Sequence, residues 1–190
     1  MGLTISKHQI AELDRVIFEG DIIVIDHLDQ VKNAVNHLSS KPAIGFDTET
    51  KPAFKRGQIN NVALLQLATE EECFLFRLNK IGYPEDLEDL MCNAQVKKIG
   101  LSLRDDFAAL RKRTGKKPEN FIDLQLFVDK FDIEDNSLQK IYAIIFGQKI
   151  SKSQRLSNWE ATELSPAQQS YAAIDAWACL RIYNHLTRKS

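Results

Sequence analysis

The sequence of 190 residues is long enough for one domain with a substantial core and short for two. Hydrophobic residues make up 44% and charged residues 27%, which is ordinary globular composition and excludes an intrinsically disordered chain. The formal net charge of -1 gives no global attraction for a polyanion, so a nucleic acid would need a local basic patch or bound cations.

Three cysteines, Cys73, Cys92 and Cys179, lie far apart along the chain with no paired spacing. This spacing predicts neither a disulfide framework nor a zinc site, and it suits a reducing compartment. No apolar run reaches about 18 residues, and the polar start is not typical of a signal peptide. We therefore expect a single domain over residues 1–190 that is cytoplasmic and has no membrane partner.

Apolar spacing and turn residues predict alternating elements in the first half of the chain. They are a helix over 6–18, a strand over 22–25, a helix over 28–38, and strands over 43–49, 62–68 and 73–76. The strand over 62–68 is apolar almost throughout, as expected for a strand that is covered on both faces. The last two strands form a predicted hairpin.

The second half predicts one strand among several helices. The helices cover 84–92, 104–112, 123–131, 137–146 and 165–186, and the strand covers 96–101. Three consecutive strands favour antiparallel pairing, whereas the later helix-strand-helix unit favours a parallel addition. The expected fold class is therefore α/β, with one mixed sheet flanked by helices.

Two acids one residue apart follow the apolar run of the strand over 43–49. Asp47 and Glu49 share one face of this strand because its side chains alternate, and Phe46 and Thr48 point to the other face. The two carboxylates repel each other unless a proton or a cation lies between them. The alternative is that both acids begin a solvated loop.

Further acids follow in helices. Asp105 and Asp106 fall in a first helical turn, where acids offset the helix dipole, and Asp106 lies one turn before the apolar Leu110. Asp106 is thus the better candidate for facing inward. Tyr171 and Asp175 share one otherwise apolar helical face, where they form either a functional pair or a private hydrogen bond. Asp123, between Ile122 and Leu124, is expected to cap a helix.

Asp47, Glu49, Asp106 and Asp175 together offer four hard oxygen ligands, a set that suits Mg²⁺ or Mn²⁺ better than zinc. Two such ions about 3.5–4 Å apart are the apparatus for in-line displacement at a phosphodiester. The residue pattern by itself predicts metal-dependent phosphotransfer and nothing narrower.

Three motifs occur in order along the chain: Phe46–Thr50, Lys98–Asp106 and Tyr171–Asp175. On these motifs the chain resembles the DnaQ-like superfamily of four-acid 3′-5′ exonucleases, in the branch (DEDDy) with a tyrosine in its third motif. Within that branch it resembles the exonuclease domain of the Werner syndrome protein and the catalytic domain of ribonuclease D. The likeness runs from about residue 21 to residue 188.

The resemblance implies a ribonuclease H-like fold with a mixed five-stranded sheet and two divalent ions, Mg²⁺ or Mn²⁺. It implies that Asp47 bridges both ions, that Glu49 and Asp175 complete the nucleophile-side ion, and that Asp106 holds the second through water. Tyr171 would orient the attacking water. The implied partner is a DNA or RNA 3′ end, with DNA favoured, and the implied products are nucleoside 5′-monophosphates.

Four basic residues, Lys51, Arg56, Lys152 and Arg155, are expected to track phosphates, although basic side chains also serve as solvated faces. Trp159 is expected in the core rather than as a stacking platform. Three rival functions stay open: ribonuclease D-like RNA 3′-end processing, a catalytically inert nucleic-acid-binding module, and a haloacid dehalogenase-like phosphatase. The phosphatase requires an aspartate where Glu49 stands.

Overall fold

The computed structural model describes residues 2–54, 60–111, 113 and 115–188. Its α-helices are α1 (Lys7–Ala11), α2 (Leu28–Ser39), α3 (Leu78–Ile81), α4 (Glu85–Cys92), α5 (Leu103–Leu110), α6 (Leu124–Phe127), α7 (Leu138–Phe146) and α8 (Pro166–Arg188). Its strands are β1 (Asp14–Arg15), β2 (Asp21–Ile25), β3 (Ala43–Thr50), β4 (Val62–Ala68), β5 (Glu72–Phe76), β6 (Lys97–Gly100), β7 (Phe121–Asp123) and β8 (Gln148–Lys149). A 3-10 turn covers Val128–Phe131.

One mixed sheet organises the described chain, with strand order β2-β5-β4-β3-β6-β7. Strands β3, β4 and β5 pair antiparallel, whereas β2, β6 and β7 are added parallel to their neighbours. The mixed α/β class is thus confirmed. The sheet has six strands rather than five because Phe121–Asp123 pairs with β6, where the sequence predicts the start of a helix.

The central strand β4 is buried on both faces, as its continuous apolar pattern predicts. Leu64 and Ala68 pack in the core on the α8 side of the sheet. Leu65 and Leu67 pack in a second core against α2 and α4. The site described below lies on the α8 side.

Helix α8 lies very close to β3, and glycine makes this approach possible. A Cβ atom at Gly45 would lie 2.0 Å from the Ala176 carbonyl oxygen. This distance is too short for any non-bonded contact, so only glycine fits here. The facing surface of α8 is rich in alanine, including the fully buried Ala172 and Ala176. This packing brings the first half of α8 over the end of β3.

The amino-terminal prediction was wrong in part, because the helix from Ser6 ends at Ala11 instead of continuing to Phe18. Val16 and Phe18 are buried while Ile17 between them is 70% exposed, an alternation typical of extended backbone. The Val16 N–H donates to the Lys149 carbonyl, beyond the β1–β8 pair. No helix in the described part of the chain is both long and apolar enough to cross a membrane.

Candidate metal centre and active site

Asp47 and Glu49 lie near the end of β3, where they pair with Gln66 and Leu64 of β4, respectively. The register shifts between Glu49 and Thr50, so the strand leaves the regular ladder directly after the second acid. Both carboxylates point to the α8 side of the sheet, as the period of two predicts. The sequence prediction that they share a face is confirmed.

Helix α8 supplies the third carboxylate. One carboxylate oxygen from each of Asp47, Glu49 and Asp175 lies within 4.8 Å of the other two. Asp175 is only 9% exposed, so it is a buried acid surrounded by other acids and by the apolar face of the helix. Tyr171, one helical turn earlier, gives a hydrogen bond to the Asp175 carboxylate and lies on the same cleft.

Asp106 lies in the first turn of α5, next to these three acids but outside the group whose oxygens lie within 4.8 Å of one another. It accepts a hydrogen bond from the Thr48 hydroxyl on the other face of β3. Its neighbour Asp105 stays exposed, which matches the sequence prediction that only one of the two acids faces inward. The sequence did not predict the contact with Thr48, which requires knowledge that α5 begins beside the end of β3.

Asp123 positions the helix that carries Asp106. Its carboxylate accepts the backbone N–H groups of Ser102 and Leu103, both at 3.0 Å, and also caps α6 through Gln125 N–H at 3.0 Å. Ser102 has φ +59°, a left-handed backbone that starts the turn into α5. The predicted capping role of Asp123 is confirmed, and it extends to a second helix that is distant in sequence.

Burial raises the pKa of every acid in the cluster, and repulsion from the other acids adds to this effect for Asp47 and Glu49. Burial, followed by repulsion from Asp175, Glu49 and Asp106, raises the pKa of Asp47 well above its usual range. Burial and the same kind of repulsion raise the pKa of Glu49 to about 8, against the nearby Arg155 charge. These carboxylates therefore hold protons at neutral pH unless a cation compensates their charge.

The other two acids follow the same rule more weakly. Burial raises the pKa of Asp175 to about 7, while the Tyr171 hydrogen bond and the Lys152 charge act in the opposite direction. Burial raises the pKa of Asp106 to about 6 against the Thr48 hydrogen bond. Burial also raises the pKa of the Tyr171 phenol, so its hydroxyl stays protonated at neutral pH.

The donor set fits a hard divalent cation. The three converging groups are all carboxylates, and the described cluster contains neither histidine nor cysteine. Such an oxygen set suits Mg²⁺ or Mn²⁺, and a cation between the carboxylates would offset the repulsion that raises their pKa values. The residues therefore fit the expected metals.

The acids open into a cleft of about 460 Å³. Its lining is completed by residues from the start of α7 and the segment after β8, namely Ser137, Leu138, Gln139, Ile150, Ser151, Lys152 and Arg155. A larger cavity of about 1000 Å³, lined by residues such as Arg15 and Trp177, contains none of the four site acids. We place the site in the smaller cleft because the reactive groups converge there.

The four expected phosphate-binding residues are not equivalent in the structure. Lys152 and Arg155 line the cleft, whereas Lys51 forms an ion pair with Glu160 at 3.3 Å and is not among the lining residues. Arg56 lies outside the described residues.

Trp159 is fully buried, with its ring centre 5.9 Å from that of Tyr171. The expectation that it belongs to the core is confirmed.

Comparison with known proteins gives the same family. The 3′-5′ exonuclease family model matches residues 22–190. The mouse bifunctional 3′-5′ exonuclease/ATP-dependent helicase WRN is 34% identical over 155 residues, which cover 78% of this chain and 11% of the mouse protein. The chain thus spans about a tenth of the length of that relative.

Two solved structures share the fold. The Nibbler EXO domain of Aedes aegypti has a TM-score of 0.77 and 22% identity, covering 100% of this chain and 92% of that one. Trypanosoma brucei RNase D in complex with RNA U12 has a TM-score of 0.78 and 22% identity, covering 89% of this chain and 63% of that one. The ribonuclease H-like fold is thus confirmed, and the chain belongs to the 3′-5′ exonuclease family.

Proposed function

We propose that this chain forms one catalytic domain that hydrolyses the terminal phosphodiester bond at nucleic acid 3′ ends by a two-metal mechanism. The observation that carries the proposal is the convergence of Asp47, Glu49 and Asp175 within 4.8 Å in a buried cleft, with Asp106 beside them. Membership of the 3′-5′ exonuclease family supports the direction of cleavage. The products are nucleoside 5′-monophosphates.

The carboxylates divide between two metal positions. Asp47, Glu49 and Asp175 would hold one Mg²⁺ or Mn²⁺, and Asp47 and Asp106 would hold the second. When bound, such ions lower the pKa of a water and offset the charge that develops on the phosphate. Asp106 accepts a hydrogen bond from the Thr48 hydroxyl beside the other three acids, and this acid would hold its ion through water.

The remaining cleft residues orient the reactants. Because the Tyr171 hydroxyl stays protonated and contacts Asp175, it orients an attacking water by hydrogen bonding and does not act as a general base. Lys152 and Arg155 neutralise phosphates next to the scissile bond.

The proposed substrate is DNA, which the likeness to the WRN exonuclease favours. A second candidate is RNA 3′-end processing, which the structural likeness to an RNase D bound to RNA supports.

A reducing, cytoplasmic location completes the proposal. The three cysteines are free, and burial raises the pKa of the Cys73 and Cys179 thiols, so they are protected from oxidation rather than reactive.

The decisive experiment uses 5′-labelled DNA and RNA oligonucleotides of one sequence, single-stranded and recessed, with Mg²⁺ or Mn²⁺. We expect a ladder that shortens from the 3′ end, and we expect EDTA or Asp47→Asn to abolish it. Faster shortening of DNA supports the first candidate, and faster shortening of RNA supports the second. Nucleic acid binding without any ladder, while metal is bound, would show an inert binding module instead.

A further inference from the structure

Gln66 is a polar residue in the middle of the apolar strand β4. Its side chain is fully buried, at 0% exposure. Within the described part of the chain, neither its amide nitrogen nor its amide oxygen has a hydrogen-bond partner. A buried amide without a partner costs free energy, so a structure that retains one calls for a physical explanation.

The position of Gln66 supplies that explanation. It pairs directly with Asp47 in the β3–β4 ladder and with Leu75 of β5 on its other side. Side chains of directly paired residues leave the same face with Cβ atoms about 4.5–5.5 Å apart. The Gln66 amide therefore extends from the position nearest to Asp47, under helix α8 and on the side of the carboxylates.

We propose that Gln66 is a positioning residue for Asp47. The structure as it stands shows no hydrogen bond between the two side chains, and no other hydrogen bond among the described residues opposes a turn of the Gln66 amide toward Asp47. In the proposed role the amide N–H makes this turn, donates to the Asp47 carboxylate and thereby fixes the orientation in which this acid meets a divalent cation. The metal part of this inference rests on the proposed function, because it assumes that Asp47 is a ligand.

A neutral amide suits this position better than the alternatives. A lysine beside Asp47 would form a permanent ion pair and compete with the cation, and a further carboxylate would add to the repulsion from Glu49 and Asp175. An apolar residue would pack equally well but would leave the Asp47 carboxylate without this donor. Hydrogen-bond donors behind a ligand typically change metal affinity or activity by about 10- to 100-fold.

The first test needs neither metal nor substrate. Urea unfolding is measured in EDTA for the full chain, Gln66→Met, Asp47→Ala and the double variant. Methionine keeps the length and shape of glutamine without its amide. If Gln66 contacts Asp47, the two substitutions are not additive, and Gln66→Met changes the unfolding equilibrium more in the presence of Asp47 than in its absence. Additive effects overturn the proposal and indicate a core residue or one bound to buried water.

The second test measures Mn²⁺ affinity by calorimetric titration. We expect Gln66→Met to weaken Mn²⁺ binding at least tenfold, while Leu75→Met, a volume-conserving change on the other side of Gln66, leaves it within twofold. Unchanged Mn²⁺ affinity in Gln66→Met overturns the proposal.

If Gln66→Met does not fold, Gln66→Asn replaces it, because it keeps the amide but is one methylene shorter. The same loss of Mn²⁺ affinity is expected, and wild-type affinity in Gln66→Asn overturns the proposal. The exonuclease function and the role of Gln66 can be contradicted by different results. A chain that binds Mn²⁺ but gives no ladder contradicts the exonuclease function, while the cycle and the titration still decide Gln66. A chain that binds no Mn²⁺ overturns the metal part of both.

Discussion

The Tyr171 hydroxyl combines two properties that fit it for orienting water. It is held by Asp175, and burial raises its pKa so that it remains a neutral phenol. We expect Tyr171→Phe to lower kcat on the order of 10²-fold while Mn²⁺ affinity stays within twofold, since the carboxylates keep their places. Single-turnover kinetics and metal titration of the same preparation test this. A large loss of Mn²⁺ affinity would instead assign Tyr171 a structural role through Asp175.

Lys152 and Arg155 differ from Lys51 in a way that makes a matched experiment possible. The first two line the cleft, while Lys51 is paired with Glu160. Hydrogen bonds to charged groups are worth about 1.5–3 kcal/mol, so Lys152→Ala or Arg155→Ala should raise KM roughly tenfold or more. Lys51→Ala should change KM less than twofold. Equal effects at all three positions would indicate general attraction of the polyanion rather than contacts in the cleft.

The site acids could be predicted from the sequence to different depths. The shared face of Asp47 and Glu49 follows from strand periodicity alone. The helical face that Asp175 shares with Tyr171 made it a candidate ligand, but its position over β3 could not be derived from spacing, since it depends on a helix that begins more than a hundred residues later. The Thr48–Asp106 contact was not predicted, because it depends on how the start of α5 meets the end of β3.

At the scale of elements, the close contact of α8 and β3 determines the spacing of the carboxylates. Gly45 permits it, because a Cβ atom there would meet the Ala176 backbone at 2.0 Å. Gly45→Ala must push α8 away, which we expect to cost about 1–3 kcal/mol of unfolding free energy and most of the exonuclease activity. The reason for the activity loss is that Asp175, next to Ala176, moves with the helix.

Gly115→Ala is the matched control, since a Cβ atom there meets no other atom within 4 Å. Urea unfolding and the 3′-end ladder assay should show little change for Gly115→Ala. Full activity in a destabilised Gly45→Ala protein would contradict the link between helix packing and carboxylate spacing.

Sequence patterns predicted the central elements better than the peripheral ones. Strands β3 and β4 could be predicted because burial on one or both faces requires apolar residues at alternate or at consecutive positions. The helix predicted from Ser6 to Phe18 fails after Ala11, because the segment around Val16 pairs with Lys149, a partner far away in sequence. Strand β7 is only three residues long, too short to show a period, and its identity depends on β6.

At the scale of the whole molecule, folding brings several carboxylates together in a buried place at a cost in stability. An unfolded carboxyl has a pKa of about 4, whereas the folded values are raised to about 6 for Asp106, 7 for Asp175 and 8 for Glu49. Between these limits the folded protein binds more protons than the unfolded chain. Its stabilisation by these protons is complete below pH 4 and is lost as the pH rises to about 8.

We therefore expect the unfolding free energy of the metal-free protein to fall as the pH rises from about 4 to about 8. The size of the fall grows with the number of carboxyl groups whose pKa is raised. Saturating Mn²⁺ should reduce this fall, because a cation replaces the protons and stabilises the folded state by mass action. Glu49→Gln should also reduce it, since the variant removes one raised pKa of about 8. Urea unfolding across this pH range, in EDTA and in Mn²⁺, measures all three. Stability in EDTA that rises toward pH 8, or a slope that Glu49→Gln leaves unchanged, would show that the acids are not held together in solution as the structure has them.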